Sequence, residues 1–310
     1  VREKQSTYKE TPAMKAAPFD YLRAEHLEQA LGLLAAHGGD AKLIAGGQSL
    51  VPMMAMRLAR PAVLVDIHRL TELKTVAITP ERVTLGACVR QAEIENNPAV
   101  CAQLPLIQQA LRWVGHQQTR NRGTVGGSLA YADPSAELPL SALLLNAQIH
   151  IQSPDEQRTV DAQDFFLGPM FTALGETECL TAIDWPLWQG ERIGSAFDET
   201  AIRHGDFAMA SAACQMQLNA QGQISRLSLG AGGVGGTPLV FPHLTEQLIG
   251  HTLTADKAQE IAQLAARECE PGSDMHAGAA YRTHLAAVLM GRVLMQAAQK
   301  AAGGVATPAY

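Results

Sequence analysis

Arg122-Gly123-Thr124-Val125-Gly126-Gly127-Ser128-Leu129 is the stretch on which the reading of this chain turns. An earlier stretch answers it: Leu43-Ile44-Ala45-Gly46-Gly47-Gln48-Ser49-Leu50. Each sets a Gly-Gly pair beside a small hydroxyl residue, next to apolar residues suited to a strand. Adjacent glycines let the backbone take positive φ and remove the Cβ atoms that would hold a ligand off. Successive N–H groups then converge into an anion-binding concavity, and Ser or Thr hydroxyls add donors. A single Gly-Gly pair is most often a turn. Two loops of similar make, roughly eighty residues apart, suggest the two sides of a diphosphate cradle.

The 310 residues suffice for two domains, or for one domain with subdivided lobes. Hydrophobic residues at 47% and charged residues at 17% are ordinary for a soluble globular protein. With a net charge of −6 and no dense Lys/Arg face, nothing favours nucleic acid or an anionic membrane. No apolar run approaches the ~20 residues of a membrane helix. Five cysteines, Cys88, Cys101, Cys179, Cys214 and Cys269, are scattered and odd in number. That argues against a disulfide framework and fits a reducing compartment, so a cytoplasmic location is expected. Close-spaced cysteines of the kind that hold iron–sulfur clusters are missing. The ten histidines include no HExxH, and none pairs with a cysteine at zinc spacing.

Residues 1–13 are polar and aperiodic and lack the apolar core of a secretory signal. They read as a flexible extension before a natural start at Met14. Pro18 to Leu22 reads as a strand, Ala24 to Ala36 as a helix on the spacing of Leu27, Leu31 and Leu34, and Lys42 to Ala45 as a second strand. Leu50 to Leu58 reads as a short helix whose methionines fill core. Ala62 to Ile67 is an apolar strand, and Val76–Ile78 with Val83–Ala87 a hairpin. Helical patterns follow at Arg90–Asn96, Pro105–Val114 and Leu140–Leu145, with the second Gly-Gly loop and a turn-rich Ala132–Pro139 between the last two. Gln148–Gln152 and Gln157–Val160 form another hairpin, Cys179–Trp185 a strand, and Gly190–Gly194 a linker. Beyond it lie a strand (Ser195–Ile202), a long hairpin (Met209–Leu218 and Gln223–Ala231), two helices (Ala255–Glu268 and Tyr281–Ala301) and a loose tail at 303–310.

Gly230-Ala231-Gly232-Gly233-Val234-Gly235 matches G-x-G-x-x-G. A dinucleotide site of the Rossmann kind needs a helix opening at the third glycine. Thr237-Pro238 and Phe241-Pro242 argue against that helix. A glycine-rich strand end where backbones approach closely is the better reading.

Taken together, Ala45–Ser49, Val63-Leu64-Val65-Asp66-Ile67, Arg122–Ser128 and Ala132-Asp133-Pro134-Ser135-Ala136-Glu137-Leu138-Pro139 closely resemble the FAD-binding medium subunit of molybdenum hydroxylases. That family includes the flavoprotein subunits of xanthine dehydrogenases and aerobic carbon monoxide dehydrogenase. Ser273–Arg282 also looks like its last domain. The resemblance implies an α+β fold. A two-lobed FAD-binding domain of the vanillyl-alcohol-oxidase type would occupy 14–190, with lobes of roughly 14–68 and 69–190. A smaller α+β domain would follow at 195–300. It implies FAD held by Ile44, Ala45, Gly46, Gly47, Gln48, Ser49 and Leu50 of the first loop and by Thr124, Val125, Gly126, Gly127 and Ser128 of the second. Val114 and Leu180 match apolar positions near the cofactor, and Glu137 a carboxylate on the adenosine side, where it would accept ribose hydroxyls. Asp133 is a second such candidate, or else an Asx-turn before Pro134. Phe197 matches a position near the flavin ring, or else is plain core.

Two departures matter. Where some members carry Lys after the aromatic, this chain has Asp198. Where relatives of the broader fold carry a covalent-linkage His, this chain has Gln48, so non-covalent FAD is expected. In the family, a large molybdopterin subunit hydroxylates substrate and a small subunit carries two [2Fe–2S] clusters. The implied role is therefore electron transfer through FAD to an external acceptor, in a hetero-oligomer, with no catalytic acid or base on this chain. A free-standing FAD oxidoreductase of the same fold and a cofactor-free scaffold subunit are the alternatives.

Overall fold

The computed structural model describes residues 15–303, so the expectations for residues 1–13 and for nearly all of the tail lie outside the described residues. The first lobe is a three-stranded parallel sheet. Its strands are β1 (Asp20–Arg23), β2 (Ala41–Ile44) and β3 (Val63–Asp66), in the order β1-β3-β2. Helix α1 (Leu27–His37) buries Leu27, Ala30, Leu31 and Leu34 against it. His26 caps α1, its ring nitrogen accepting the N–H of Gln29 at 3.2 Å. Helix α2 (Leu50–Ala55) starts directly after the first Gly-Gly loop.

The second lobe is a five-stranded antiparallel sheet of two hairpins, β4 (Val76–Ile78) with β5 (Arg82–Gly86) and β6 (Gln148–Gln152) with β7 (Gln157–Asp161). A small hairpin, β8 (Phe166–Gly168) and β9 (Phe171–Thr172), precedes β10 (Cys179–Pro186). Strand β10 enters between the two larger hairpins, giving β4-β5-β10-β6-β7. Short helices accompany the sheet: α3 (Gln91–Glu95), α4 (Pro98–Gln103), α5 (Pro105–Leu111), α6 (Gln117–Arg120), α7 (Val125–Tyr131), α8 (Glu137–Leu144) and α9 (Ala162–Phe165), of which α7 packs on β5 and β10, and α9 on β6 and β7. Trp185, Phe165, Leu106, Ile107 and Leu129 are among the fully buried side chains of this core.

The C-terminal domain is a four-stranded antiparallel sheet, β11 (Ile193–Thr200), β12 (Ala210–Leu218), β13 (Ile224–Gly232) and β14 (Leu239–Val240), paired in chain order. Helix α10 (Pro242–Thr245) leads to α11 (Ala255–Arg267) and the long α12 (Ala279–Ala301). Residues alternate across a strand, and here the alternation divides two neighbours. Ala196, Ala212, Cys214 and Ala231 face α11 and α12. Ser195, Phe197 and Glu199 face the opposite way, toward the second lobe. The close fit to α12 rests on Gly194, where a Cβ would lie 2.1 Å from the carbonyl oxygen of Ala297.

Polar contacts tie this domain to the second lobe. Gln109 donates to Ser195 Oγ at 3.0 Å, and the Lys300 ammonium donates to Gln109 Oε1 at 3.0 Å and to the Ser195 carbonyl at 2.7 Å. Burial lowers the Lys300 pKa, an effect to which the nearby Arg112 charge adds. The G-x-G-x-x-G glycines lie at the end of β13 and in the bends after it, with no helix opening there. Gly232 carries its missing side chain where a Cβ would meet Ser211 Oγ at 2.6 Å.

Candidate cofactor site

A cleft of about 980 Å³ runs between the lobes and is closed at one side by the C-terminal domain. Its size is at the upper end of the roughly 300–1,000 Å³ typical of small-molecule sites. One wall is the first Gly-Gly loop, Ile44 through Leu50. The facing wall is Thr124, Gly126, Gly127 and Ser128 with Asp133 and Glu137. Val114 and Leu180 also line it. The hairpin residues Met170 and Phe171 and the C-terminal residues Gly205, Asp206 and Phe207 complete the rim.

The two loops touch. A Cβ on Gly46 would lie 2.4 Å from the carbonyl oxygen of Arg122 and 3.0 Å from the Gly123 Cα. Arg90 donates to that same Arg122 carbonyl and holds the second loop in place. Gly47 takes φ +72°, a conformation that favours glycine. Gly126 sits where a Cβ would meet Ala87 at 2.6 Å, which lets α7 start hard against the end of β5.

The loops differ in what they offer a ligand. In the second, the N–H groups of Val125, Gly126, Gly127 and Ser128 donate to Val89 O, Ala87 O, Thr124 Oγ1 and Thr124 O. It therefore presents close backbone approach and the Thr124 and Ser128 hydroxyls more than free N–H groups. In the first, among the described residues, no intramolecular acceptor takes the N–H groups of Gly46, Gly47, Gln48 or Ser49. These donors are the ones available to an anion.

Fifteen of the seventeen residues expected at the site line the cleft. Val125 and Phe197 do not: both are buried in the core behind it. Val125 is the first residue of α7, where the helical phase turns its side chain inward. Phe197 is held in the seam by its place on β11, opposite Ala213. Asp198 points away from the lobes, its carboxylate 2.7 Å from the Arg292 guanidinium of α12. Asp133 forms the Asx-turn, accepting the Ser135 N–H at 2.9 Å, while it also lines the cleft. Burial raises its pKa, and the Ser135 hydrogen bond opposes that.

Several cleft residues were not anticipated. Gln91 lines it with a buried Oε1 that has no partner. Tyr131, Phe171 and Phe207 supply aromatic surface, Phe171 and Phe207 being 63% and 66% exposed. The Phe207 loop is pinned by His204 stacked on Trp113, ring centroids 5.6 Å apart, and by Gly205 at φ +89° against His116. The first loop also borders a smaller cavity of about 420 Å³. There Asp66, although buried, is kept below the ordinary aspartate pKa by hydrogen bonds from Tyr21 and His68.

These features, a contact between two glycine loops, free donors on one and a cleft of about 980 Å³ lined by both, fit a diphosphate cofactor. Residues 17–188 match the FAD binding domain in molybdopterin dehydrogenase, and residues 195–297 match the CO dehydrogenase flavoprotein C-terminal domain. The chain belongs to the FAD-binding medium subunits of the molybdenum hydroxylases. This medium subunit is 36% identical over 289 residues to 6-hydroxypseudooxynicotine dehydrogenase complex subunit alpha of Paenarthrobacter nicotinovorans, covering 93% of this chain and 97% of that one. It is 33% identical to the carbon monoxide dehydrogenase medium chain of Hydrogenophaga pseudoflava, covering 89% and 96%. Among solved structures, it superposes with TM-score 0.88 on carbon monoxide dehydrogenase from Hydrogenophaga pseudoflava, at 34% identity and 91% and 98% coverage. It does so equally on quinoline 2-oxidoreductase from Pseudomonas putida 86, at 34% identity and 93% and 99% coverage. The medium subunit is thus an FAD-binding oxidoreductase subunit of mixed α and β structure. No helix among its described residues is long and apolar enough to cross a membrane.

Proposed function

We propose that this medium subunit relays electrons from the [2Fe–2S] clusters of a small partner subunit, through FAD, to an external acceptor, while substrate is hydroxylated at a molybdopterin centre on a large partner. The observation that carries the proposal is the Gly46–Arg122 contact, which joins two glycine loops into one cradle beside a cleft lined by both lobes. FAD supplies the two-electron and one-electron chemistry; the chain supplies geometry, access and electrostatics.

In this reading the first loop meets the diphosphate with the N–H groups of Gly46 to Ser49. The second meets it with Thr124 and Ser128 and the open surface of Gly126 and Gly127. Glu137 takes the ribose hydroxyls. Phe171 and Phe207 shield the mouth of the cleft from water. Gln48 leaves the cofactor unattached; its amide donates instead to the Gly46 carbonyl at 3.2 Å. The functional units are an FAD-binding domain at 14–190 and a C-terminal domain at 195–300, working in the cytoplasm. The wide spacing of the five cysteines in the sequence supports partner-borne clusters. All five cysteines are free, and four of them are buried. Burial pushes the Cys88 thiol up to about 11 and that of Cys269 up to about 12. Among the described residues no group of three or more His, Cys, Asp or Glu side chains is placed to hold a metal ion.

The test is the visible spectrum of the chain purified with its native partners, before and after acid denaturation. Flavin bands with FAD released to the supernatant, and co-eluting iron and molybdenum, are the expected result. Colourless protein that takes up no FAD overturns the cradle. Flavin left in the precipitate overturns the role given to Gln48, and turnover by the isolated chain favours a free-standing enzyme.

A further inference from the structure

Glu199 has no part in the relay, yet its placement is unusual. It is 4% exposed, and neither carboxylate oxygen has a hydrogen-bond partner. Directly across the ladder stands Ser211, whose buried Oγ is also without a partner. Residues opposite one another in an antiparallel pair share a face. That face looks at α8. Leu140 of α8 packs where Cβ atoms on Gly230 and Gly232 would be, and the Leu144 carbonyl accepts a hydrogen bond from Ser228 Oγ at 2.9 Å. Glu137 lies three residues before Leu140 and seven before Leu144, on the same helical face. Glu137 therefore lies on the face of α8 that looks toward the Glu199–Ser211 pair, close enough for its charge to act on Glu199, while also lining the cleft.

The charged neighbours on the other elements are already engaged. Asp198, on the far face of β11, pairs with Arg292 of α12. Arg282 of α12 pairs with Asp274 and donates to the Met209 carbonyl beside β12. Asp133 accepts from Ser135, before α8. Among the described residues no cation pairs with Glu199 or Glu137. An isolated buried carboxylate takes up a proton rather than remain charged.

We propose that Glu199 keeps its proton at neutral pH and, by a turn of its unpartnered carboxyl, donates it to an ionised Glu137, holding that carboxylate ready for the ribose hydroxyls of FAD. Glu199 is then a positioning residue, and the inference rests on the assignment of Glu137 to the ribose. The order of ionisation follows from the surroundings. Burial raises Glu137 to about 7, against the opposing effect of its own backbone N–H. Burial, and then the charges of Glu137 and Asp198, raise Glu199 to about 9. The start of α8 favours charge on Glu137. Both carboxyls are raised, and Glu199, which faces the charge of Glu137 from a site with no hydrogen-bond donor, is the one that keeps the proton.

The signs follow. FAD binds the form with Glu137 ionised, so affinity falls by up to about tenfold per pH unit below the Glu137 transition. Glu199 has a folded-state pKa above its unfolded value. Its contribution to stability is complete below the unfolded carboxylate range and is lost as pH rises toward about 9. The Glu199→Gln protein therefore gains stability over wild type progressively across that window.

Infrared titration of the wild-type apo-protein reads the proton directly. A carboxylic-acid carbonyl band that persists at about pH 8, and is missing in Glu199→Gln, is expected. FAD affinity, measured by fluorescence quenching across about pH 6 to 9, reads the positioning. Glu199→Gln, which keeps a donor, stays within about threefold of wild type. In Glu199→Leu the pH midpoint moves upward by about one unit, a loss of about threefold near pH 7.5 that approaches about tenfold toward pH 6. Absence of the band above pH 7 in wild type, or a Glu199→Leu profile superimposable on wild type, overturns the proposal. Undiminished FAD affinity in Glu137→Ala overturns the ribose assignment itself and leaves the band to report on the proton alone. Should Glu199→Leu not fold, the wild-type infrared titration still decides.

Discussion

Two glycines of the cradle make the cleanest contrast at the scale of the residue. On Gly46 a Cβ would strike backbone, the Arg122 carbonyl at 2.4 Å. On Gly127 it would strike the Thr124 hydroxyl at 2.7 Å, a side-chain atom. Backbone cannot rotate away, so Gly46→Ala must part the loops, at roughly the 1–3 kcal/mol of an overpacked site. Equilibrium dialysis against FAD should show affinity falling at least about tenfold in Gly46→Ala and clearly less in Gly127→Ala. Equal losses would mean that contact between the loops is not what forms the site. The glycines were legible in the sequence because a missing side chain is written there directly. Val125 and Phe197 were not, since whether they face the cleft depends on helical phase and strand face, which only packing settles.

At the scale of the element, strand phase on β11 separates neighbours into different environments. Phe197 and Glu199 face the second lobe, and Asp198 faces α12. Asp198→Lys, which restores the residue some relatives carry, would set an ammonium beside Arg292. It should lower the melting temperature by several degrees, as expected for about 1–2 kcal/mol lost in a protein of this size. The flavin midpoint potential should hardly move; a large shift would show that residue 198 reaches the cofactor. The three strands of the first lobe, though not their parallel pairing, both large hairpins and the two long C-terminal helices were readable from periodicity, with ends displaced by a few residues. Helix α7 was read as loop because two glycines weaken its helix propensity. Its signal was nevertheless present: Thr124 caps it, accepting the Gly127 N–H at 3.1 Å. Helices α4 and α6 and the β8–β9 hairpin are too short to establish a period.

Over the whole molecule, the cleft belongs to no single unit. Its walls come from both lobes, and its rim includes Gly205 to Phe207 of the C-terminal domain. The seam around Ser195, Gln109 and Lys300 ties the same parts together. FAD at about one hundred times its Kd should add about 2.7 kcal/mol to the folded state. Calorimetry should then record a single transition displaced upward as a whole. Two transitions, only one of them sensitive to FAD, would show the domains to be independent. That two distant loops face one another across a cleft was legible in the sequence; the seam and the Gly205–Phe207 rim were not, because they join residues far apart in the chain that carry no motif. The strand order β4-β5-β10-β6-β7 carries one more consequence, for a chain emerging from a ribosome. The strand in the middle of that sheet, β10, is the last of the five to be made. Until Cys179–Pro186 is outside the exit tunnel, β5 and β6 each present an open edge, the state in which nascent chains meet chaperones or each other. Synthesis slowed just before this strand should therefore favour aggregation, whereas a pause just after it should not.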